Sequence, residues 1–574
     1  VKSVLHSFAV LLALSASALA APVVTRWMDP AGRPRPTHKP APGTGPLRLV
    51  RPAAERLLAG TGGASGRVCL VVHSNVYAQI GAGLAQYQED LAVQGFTVLV
   101  YRFDSGTAEA LRAYLAGLYA EPASLEGAVL IGEIPYVVFE MTENWGSGDE
   151  YTDFPCDLFF MDLNGTWQDL TNALPFAAGK YDSRSGDLAL EIWASRLKTA
   201  NLPSLGNQTN LLNQYFDKNH RFRAGRLVPH RRALVFDDDD WATMASEDSE
   251  ILAWTYGDLH TAAALDANMT AAPEYKANRM TANFELIFVR SHGYSGGHGF
   301  YTNSKAQFEY VYCDDYRGLT PRALFYSFYV CSGSDYTSAD HLGGTAAFNT
   351  NDSGLVSWGS TKTGGMWSDD FFYRPLADGA TIGAAFREWF NATQLSYPAS
   401  APSWWYGMVI AGDAALTLSG AEPTMTRCGA DGTALSTCWA AQKGGRYCLQ
   451  RSPTLVNPAW SNACGVTTAA DYSISFTETN TAAVIAWYRL VGVPTGPTNL
   501  LRNASFEMPG YSETAARYWE WYNPDPHGST WDNVARERWR SKSGEWEGTV
   551  HGTWSGAASG GWWQEAAGQP GTTY

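Results

Sequence analysis

Two apolar runs in this 574-residue chain end on side chains that can do chemistry together. FELIFVRSHG delivers His292, followed at once by Gly293, and LFYSFYVCSGSD delivers Cys331, 39 positions further on. A free thiol has a pKa of about 8.5, so a thiol nucleophile needs an imidazole to take its proton or to stabilise the thiolate. Gly293 lets a backbone N–H approach a scissile carbonyl closely, and with the N–H of Cys331 it could form an oxyanion hole. Taken singly, a cysteine ending an apolar run is more often a small buried hydrophobe, and a histidine beside glycine a turn residue. Both at strand ends make a Cys–His pair the sharper reading. His298, in SGGHGF, is the rival base, in a glycine-rich loop with no strand to position it.

The elements around these two residues are those of an α/β domain. VCLVV (68–72) and TVLVYRF (97–103) are short, β-branched and almost continuously apolar, as parallel strands covered on both faces are. IGAGLAQYQEDLAVQGF and GTAEALRAYLAGLYAE carry apolar positions at helical spacing, and EGAVLIGEI and EIWASRL add strands. A second series runs from RRALVFDD through FELIFVRSHG, LFYSFYVCSG and GLVSWGSTKT to AGDAALTLSG. Strand alternating with helix implies right-handed crossovers and a mostly parallel sheet with helices on both faces. Two side-by-side halves, about 67–228 and 229–424, account for the pattern. Ligands in such sheets bind outside the carboxyl ends of the strands, where His292 and Cys331 are expected.

At this point the chain resembles the gingipain family of caspase-fold cysteine peptidases. One apolar strand ends in His-Gly, a later one ends in Cys, EIWASRL is similar to the family's strand ending in Gly-Arg, and AGDAALTL to its closing Gly-Asp segment. The resemblance implies a caspase-like fold over residues 67–424, catalytic His292 and Cys331, and endopeptidase activity on protein or peptide substrates. It also implies an S1 acid at Asp187, suited to a basic P1 residue, and a pocket-lining tryptophan at Trp367 that could stack on a guanidinium. The chain departs from the family at Val330, where a small residue often precedes the nucleophile, and at Ser195, where glycine precedes the arginine.

The chemistry itself requires no cofactor, but DLNGTWQD places Asp162, Asn164 and Asp169 at close spacing, a partial pattern for structural calcium. FDDDDW puts Asp237 to Asp240 at a strand end, a second acidic cluster. A zinc hydrolase built on His292, His298 and Cys331 lacks a recognised ligand spacing. The balance of 41 basic to 56 acidic residues, a net charge of −15, argues against a nucleic-acid partner.

The first twenty residues, ending Ala18-Leu19-Ala20, read as a secretory signal cleaved after Ala20, and no later stretch is long and apolar enough to span a membrane. The expected location is therefore outside the cell or at its surface. Residues 21–66, rich in Pro and Gly, read as a linker or pro-segment. Residues 425–494 alternate as β-strands and hold Cys428, Cys438, Cys448 and Cys464, the pattern of a small sandwich stapled by two disulfides. NLLRNASFEMPG opens a β-rich segment, 495–574, that resembles a truncated jelly roll. Its Trp519, Trp521, Trp562 and Trp563 could stack on glycans. The rival function is accordingly a non-catalytic surface or glycan-binding protein on an inactive caspase-like scaffold.

Overall fold

The computed structural model describes residues 27–51, 66–144, 149–242, 244–257, 261–264, 270–302, 307–364, 370–396 and 402–418. Beyond these it describes 424–492 with short gaps and four strand segments between 520 and 563. Eleven strands form one sheet. In chain order they are β1 (Gly43–Val50), β2 (Arg67–His73), β3 (Thr97–Thr107), β4 (Leu125–Ile131), β5 (Trp193–Leu197), β6 (Ala233–Asp237), β7 (Thr261–Ala264), β8 (Leu286–Arg290), β9 (Phe325–Tyr329), β10 (Val356–Ser360) and β11 (Met408–Gly412). Their order across the sheet is β1-β3-β2-β4-β5-β11-β10-β9-β8-β6-β7. The strands on either side of the β5–β11 junction belong to one sheet, joined through Arg196 of β5 beside Ala411 of β11.

The strands form where the sequence is continuously apolar. Every residue of β5, β6, β8 and β10 is buried, as two-sided coverage demands. Helix Gly81–Val93 buries Leu84, Tyr87, Leu91 and Ala92, and helix Ala108–Tyr119 buries Ala108, Leu111, Leu115 and Leu118, one face in each case. Thr107 caps the second helix through a hydrogen bond from the N–H of Ala110, and Asn207 caps Gln208–Arg223 in the same way.

The Pro/Gly-rich stretch is not an unpacked linker along its described length: β1 pairs antiparallel with β3, from Gly43 opposite Thr107 to Val50 opposite Arg102. The edge of β3 offers unpaired backbone groups, which a segment without its own apolar periodicity can still satisfy. Pro46 is tolerated because β1 is itself an edge strand.

Residues 424–492 make two small antiparallel sheets. Trp439, Tyr447, Leu449, Ile474, Phe476 and Leu490 are buried together in their core. The expected disulfides are not formed among the described residues. Cys448 and Cys464 are thiols, with the Cys448 thiol donating to the Cys464 carbonyl at 3.3 Å, and the Cys428 side chain lies outside the description. In the last segment, strands Glu520–Tyr522 and Gly561–Trp563 pair, as do Val534–Glu537 and Glu547–Val550. The signal stretch and Trp519 lie outside the described residues, as do the side chains of Trp521, Trp562 and Trp563. No helix of the described chain is long and apolar enough to cross a membrane.

Two buried arginines tie strands to their cover. Arg196 of β5 forms a bidentate pair with Asp157, and Arg290 of β8 forms one with Asp248 of helix Ala245–Tyr256 at 2.7 and 2.8 Å. Removing one member of such a pair leaves an uncompensated buried charge. Asp248→Ala is therefore expected to destabilise the domain by about 3–5 kcal/mol. Thermal unfolding of that variant checks this, and an unchanged melting temperature would refute the role given to the pair.

Candidate functional site

The site begins with the pairing of β8 and β9. The two strands run parallel and in register, Leu286 opposite Phe325 and Arg290 opposite Tyr329. The N–H of Ser291 continues the ladder by donating to the Tyr329 carbonyl at 3.1 Å. His292 and Cys331 each lie two residues beyond the Arg290–Tyr329 pair, so both follow the same carboxyl edge of the sheet. Between strand and helix, Val330 to Gly333 form a turn closed by the N–H of Gly333 on the Val330 carbonyl. Cys331 stands at its corner, and Ser332 takes a left-handed φ of 50°. A non-glycine residue in that region costs of order 1 kcal/mol and persists only where the surroundings enforce it. Here the Ser332 N–H is held by the carbonyl of Lys362, which follows β10.

Gly293 is glycine for want of space. A Cβ there would meet Val330 Cγ1 at 2.5 Å and the Gly297 carbonyl at 2.6 Å. The His-Gly segment and the cysteine turn are thus packed directly on one another.

Sequence reasoning missed the partner of the histidine. Asp240, in the loop after β6, takes His292 Nε2 at 2.6 Å. The loop is fixed by the N–H of Asp238 on the Arg290 carbonyl, and by the N–H of Tyr301 on Asp238 Oδ1 at 2.8 Å. Trp241 packs against the imidazole at 4.8 Å between ring centres, with Tyr301 edge-on at 5.6 Å. The signal was present in FDDDDW: an acidic run closing a strand that neighbours β8 can reach its end. Burial, working with the charges of Asp239 and Asp240, pushes the Asp238 carboxyl up to about 8.

The rival base is excluded by its surroundings. His298 lies on strand Gly297–Thr302, not in an unsupported loop, and is fully buried with Nε2 at 3.0 Å from the Tyr316 hydroxyl. Burial lowers its pKa to about 3, so it stays neutral within the core. Cys156 and Cys313 are equally unsuited as nucleophiles, since burial pushes both thiols up to about 12. Cys331 lies within electrostatic reach of two cations, Arg35 and Lys362. Lys362 is buried and pairs with Glu143 of strand Val138–Asn144.

Both His292 and Cys331 are buried, whereas a water-accessible rim is expected from the strand ends alone. Residues 27–42 cross this edge of the sheet. The N–H of Met28 donates to the Gly293 carbonyl at 2.9 Å, and Trp27 meets Tyr294 edge-on. A cavity lies between Arg35, Thr37 and His38 on one side and Asp153, Ser332 and Lys362 on the other. His38 is bridged by two buried carboxylates, Asp153 at 2.9 Å and Asp335 at 3.1 Å.

The other expected site residues fall elsewhere. Asp187 is exposed on the loop before β5, where it accepts from Asn164 at 3.4 Å and from the N–H of Ala189. It is therefore not brought to the strand ends that carry His292 and Cys331. Trp367 lies outside the described residues. Asp162, Asn164 and Asp169 do not converge as a calcium site. Asp162 is buried and already holds Arg184 at 2.6 Å, Arg112 at 3.4 Å and the N–H of Gly165, so guanidinium charge stands where calcium would. Asp169 turns instead to the N–H of Gly179 at 2.7 Å.

No family model matches the chain, and no curated protein does. Two solved structures are similar to it. One bears the description "Structure of Protease", at 12% identity over 75% of this chain and 97% of that one, with a TM-score of 0.44. The other is the Arg-specific cysteine proteinase gingipain R, at 13% identity over 76% of this chain and 100% of that one, with a TM-score of 0.45. At these scores the likeness is one of general outline, and the site stands on its own geometry.

The anchor at His38 titrates. Burial disfavours its charged ring, but hydrogen bonds to Asp153 and Asp335 outweigh that and raise its pKa from 6.5 to about 9. Asp335 is lowered to about 2 by the hydrogen bond from His38, working against burial. A raised histidine pKa adds stability that is complete below 6.5 and is lost as pH rises through about 9. A lowered aspartate adds stability present above 3.8 and lost as pH falls through about 2. Limited proteolysis within residues 27–42 should therefore be slow near pH 6 and markedly faster at pH 10. The variant His38→Gln should be cut at pH 6 about as fast as the native chain at pH 10. Equal rates at both pH values in the native chain would refute the anchor.

Proposed function

We propose that this chain is an exported thiol endopeptidase in which Cys331 is the nucleophile, His292 its base and Asp240 the group that orients the base. The observation that supports the reading best is the in-register pairing of β8 and β9, since one strand is followed by a histidine backed by a carboxylate and the other by a cysteine on a tight turn. With Nε2 committed to Asp240, Nδ1 is the nitrogen that can exchange a proton with the thiol. The nearby Lys362 cation, which belongs to the sheet domain, stands toward the thiol. The thiolate attacks the peptide carbonyl, and the backbone N–H groups of Gly293 and Cys331 receive the oxyanion. The imidazolium protonates the leaving amine, and water activated by the same imidazole then releases the acyl group.

In this reading residues 27–42 are a pro-segment that must leave before a substrate can enter, which is why the thiol is covered. Selection of a basic P1 residue through Asp187 has no support from its position, so the proposal leaves the S1 acid unassigned.

A second reading is favoured by one observation, the burial of both His292 and Cys331. An inert scaffold would keep its thiol covered permanently. Labelling with an iodoacetamide probe separates the two, because a pro-segment that can be displaced exposes the sulfur and a scaffold does not.

After removal of residues up to Pro42, Cys331→Ala should lose turnover of peptide substrates entirely while keeping its melting temperature. Asp240→Asn, with the imidazole no longer held by charge, should lower kcat about 10²-fold or more. Full activity in the cysteine variant would end the proposal. Full activity in the Asp240 variant would remove only its orienting role.

A further inference from the structure

Asp238, Asp240 and His292 present one ligand atom each, all within 4.8 Å of one another. Asp238 is fully buried, and its Oδ2 has no hydrogen-bond partner among the described residues, although Oδ1 is taken by the N–H of Tyr301. Leaving a carboxylate oxygen buried and unmatched costs several kcal/mol by general estimates, so such an atom calls for a ligand. No arginine or lysine pairs with Asp238 among the described residues, in contrast to Asp157, Asp162 and Asp248, each of which is met by a guanidinium. The neighbours of the carboxyl are the N–H of Tyr301 and the further acids Asp239 and Asp240. Trp241 and Tyr301 supply an apolar wall beside the imidazole.

We propose that Asp238, Asp240 and His292 form a site for a divalent transition-metal ion of the zinc type, which silences the thiol chemistry by occupying its base. One imidazole nitrogen with two carboxylate oxygens suits zinc, cobalt or manganese better than calcium or magnesium, which prefer oxygen alone. Three protein ligands leave a position for water. Binding requires the neutral imidazole and ionised carboxylates, so the proton shared between His292 Nε2 and Asp240 is released to solvent as the ion enters. With Nε2 on the metal, the imidazole can no longer pass as base and then acid through a charged form, and Asp240 no longer orients it. Ion binding needs only the three side chains, whereas inhibition rests on the proposed role of His292.

The test titrates the full chain with Co²⁺, whose visible absorption reports coordination, and then displaces it with Zn²⁺. One equivalent should bind with a spectrum of nitrogen and oxygen ligation. Cys331→Ala should bind equally well, and Asp238→Asn, which keeps an acceptor for Tyr301, at least about tenfold more weakly. After removal of the pro-segment, Zn²⁺ should inhibit peptide cleavage in the native enzyme and do so at least tenfold less well in Asp238→Asn. Undiminished Co²⁺ affinity in Asp238→Asn would overturn the site, as would a sulfur shell at about 2.3 Å in X-ray absorption of the Zn²⁺-loaded native chain. The absorption measurement needs no variant, so a misfolded Asp238→Asn does not shield the proposal. Cobalt binding as described with an unreactive thiol would uphold the metal site and sink the peptidase. A reactive thiol with no Co²⁺ binding would do the reverse.

Discussion

Parallel pairing of β8 with β9 sets everything at the candidate site, because a parallel register has no slack for side chains that leave the sheet together. With Arg290 held opposite Tyr329, the residues two positions on are committed to the same edge and the same level. A slip of one position would turn one of the two side chains to the other face of the sheet. The register is guarded on both sides. Asp237 of β6 stands opposite Arg290, and Gly359 of β10 opposite Phe328. Arg290 adds a lock across the strands, with its guanidinium paired to Asp248 and stacked on the Tyr329 ring at 4.3 Å.

From that register the remaining site geometry follows with little freedom. Gly293 must lack a side chain because Val330 already fills the space beside it. Ser332 must turn left-handed so that the chain can leave β9, present Cys331 and still give its N–H to Lys362. The loop after β6 is drawn in because its Asp238 N–H finds the Arg290 carbonyl, and this delivers Asp240 to the imidazole. Each of these contacts is local to a strand end. None depends on the β-rich segments after residue 424.

The strands that lead to His292 and Cys331 were legible in the sequence, because buried parallel strands are written as unbroken apolar runs. What was not legible depends on contacts between distant segments. Asp240 is one of four consecutive aspartates, and nothing local tells which will face a histidine 52 positions away. Pro/Gly composition in residues 27–51 describes a chain without its own core, yet β3 offers that chain an edge and Asp153 and Asp335 offer its histidine a socket. The spacing of Asp162, Asn164 and Asp169 suggested calcium, but Arg112 and Arg184 arrive from 50 positions before Asp162 and 22 after it. His298 was misread for the complementary reason: its glycine-rich neighbours looked like a loop, and the strand they form is visible only when paired with Gln307–Tyr312.

Charge is distributed around the site in a way that separates its two halves. The thiol side holds cations, Arg35 and Lys362, while the imidazole side holds Asp238, Asp239 and Asp240. Arg35 belongs to the covering segment, so the thiol loses one of its two cations when that segment leaves. Lys362 is anchored by Glu143 inside the sheet domain and stays. In the proposed peptidase, with residues 27–42 displaced, the charge beside the thiol would therefore rest on the Lys362–Glu143 pair.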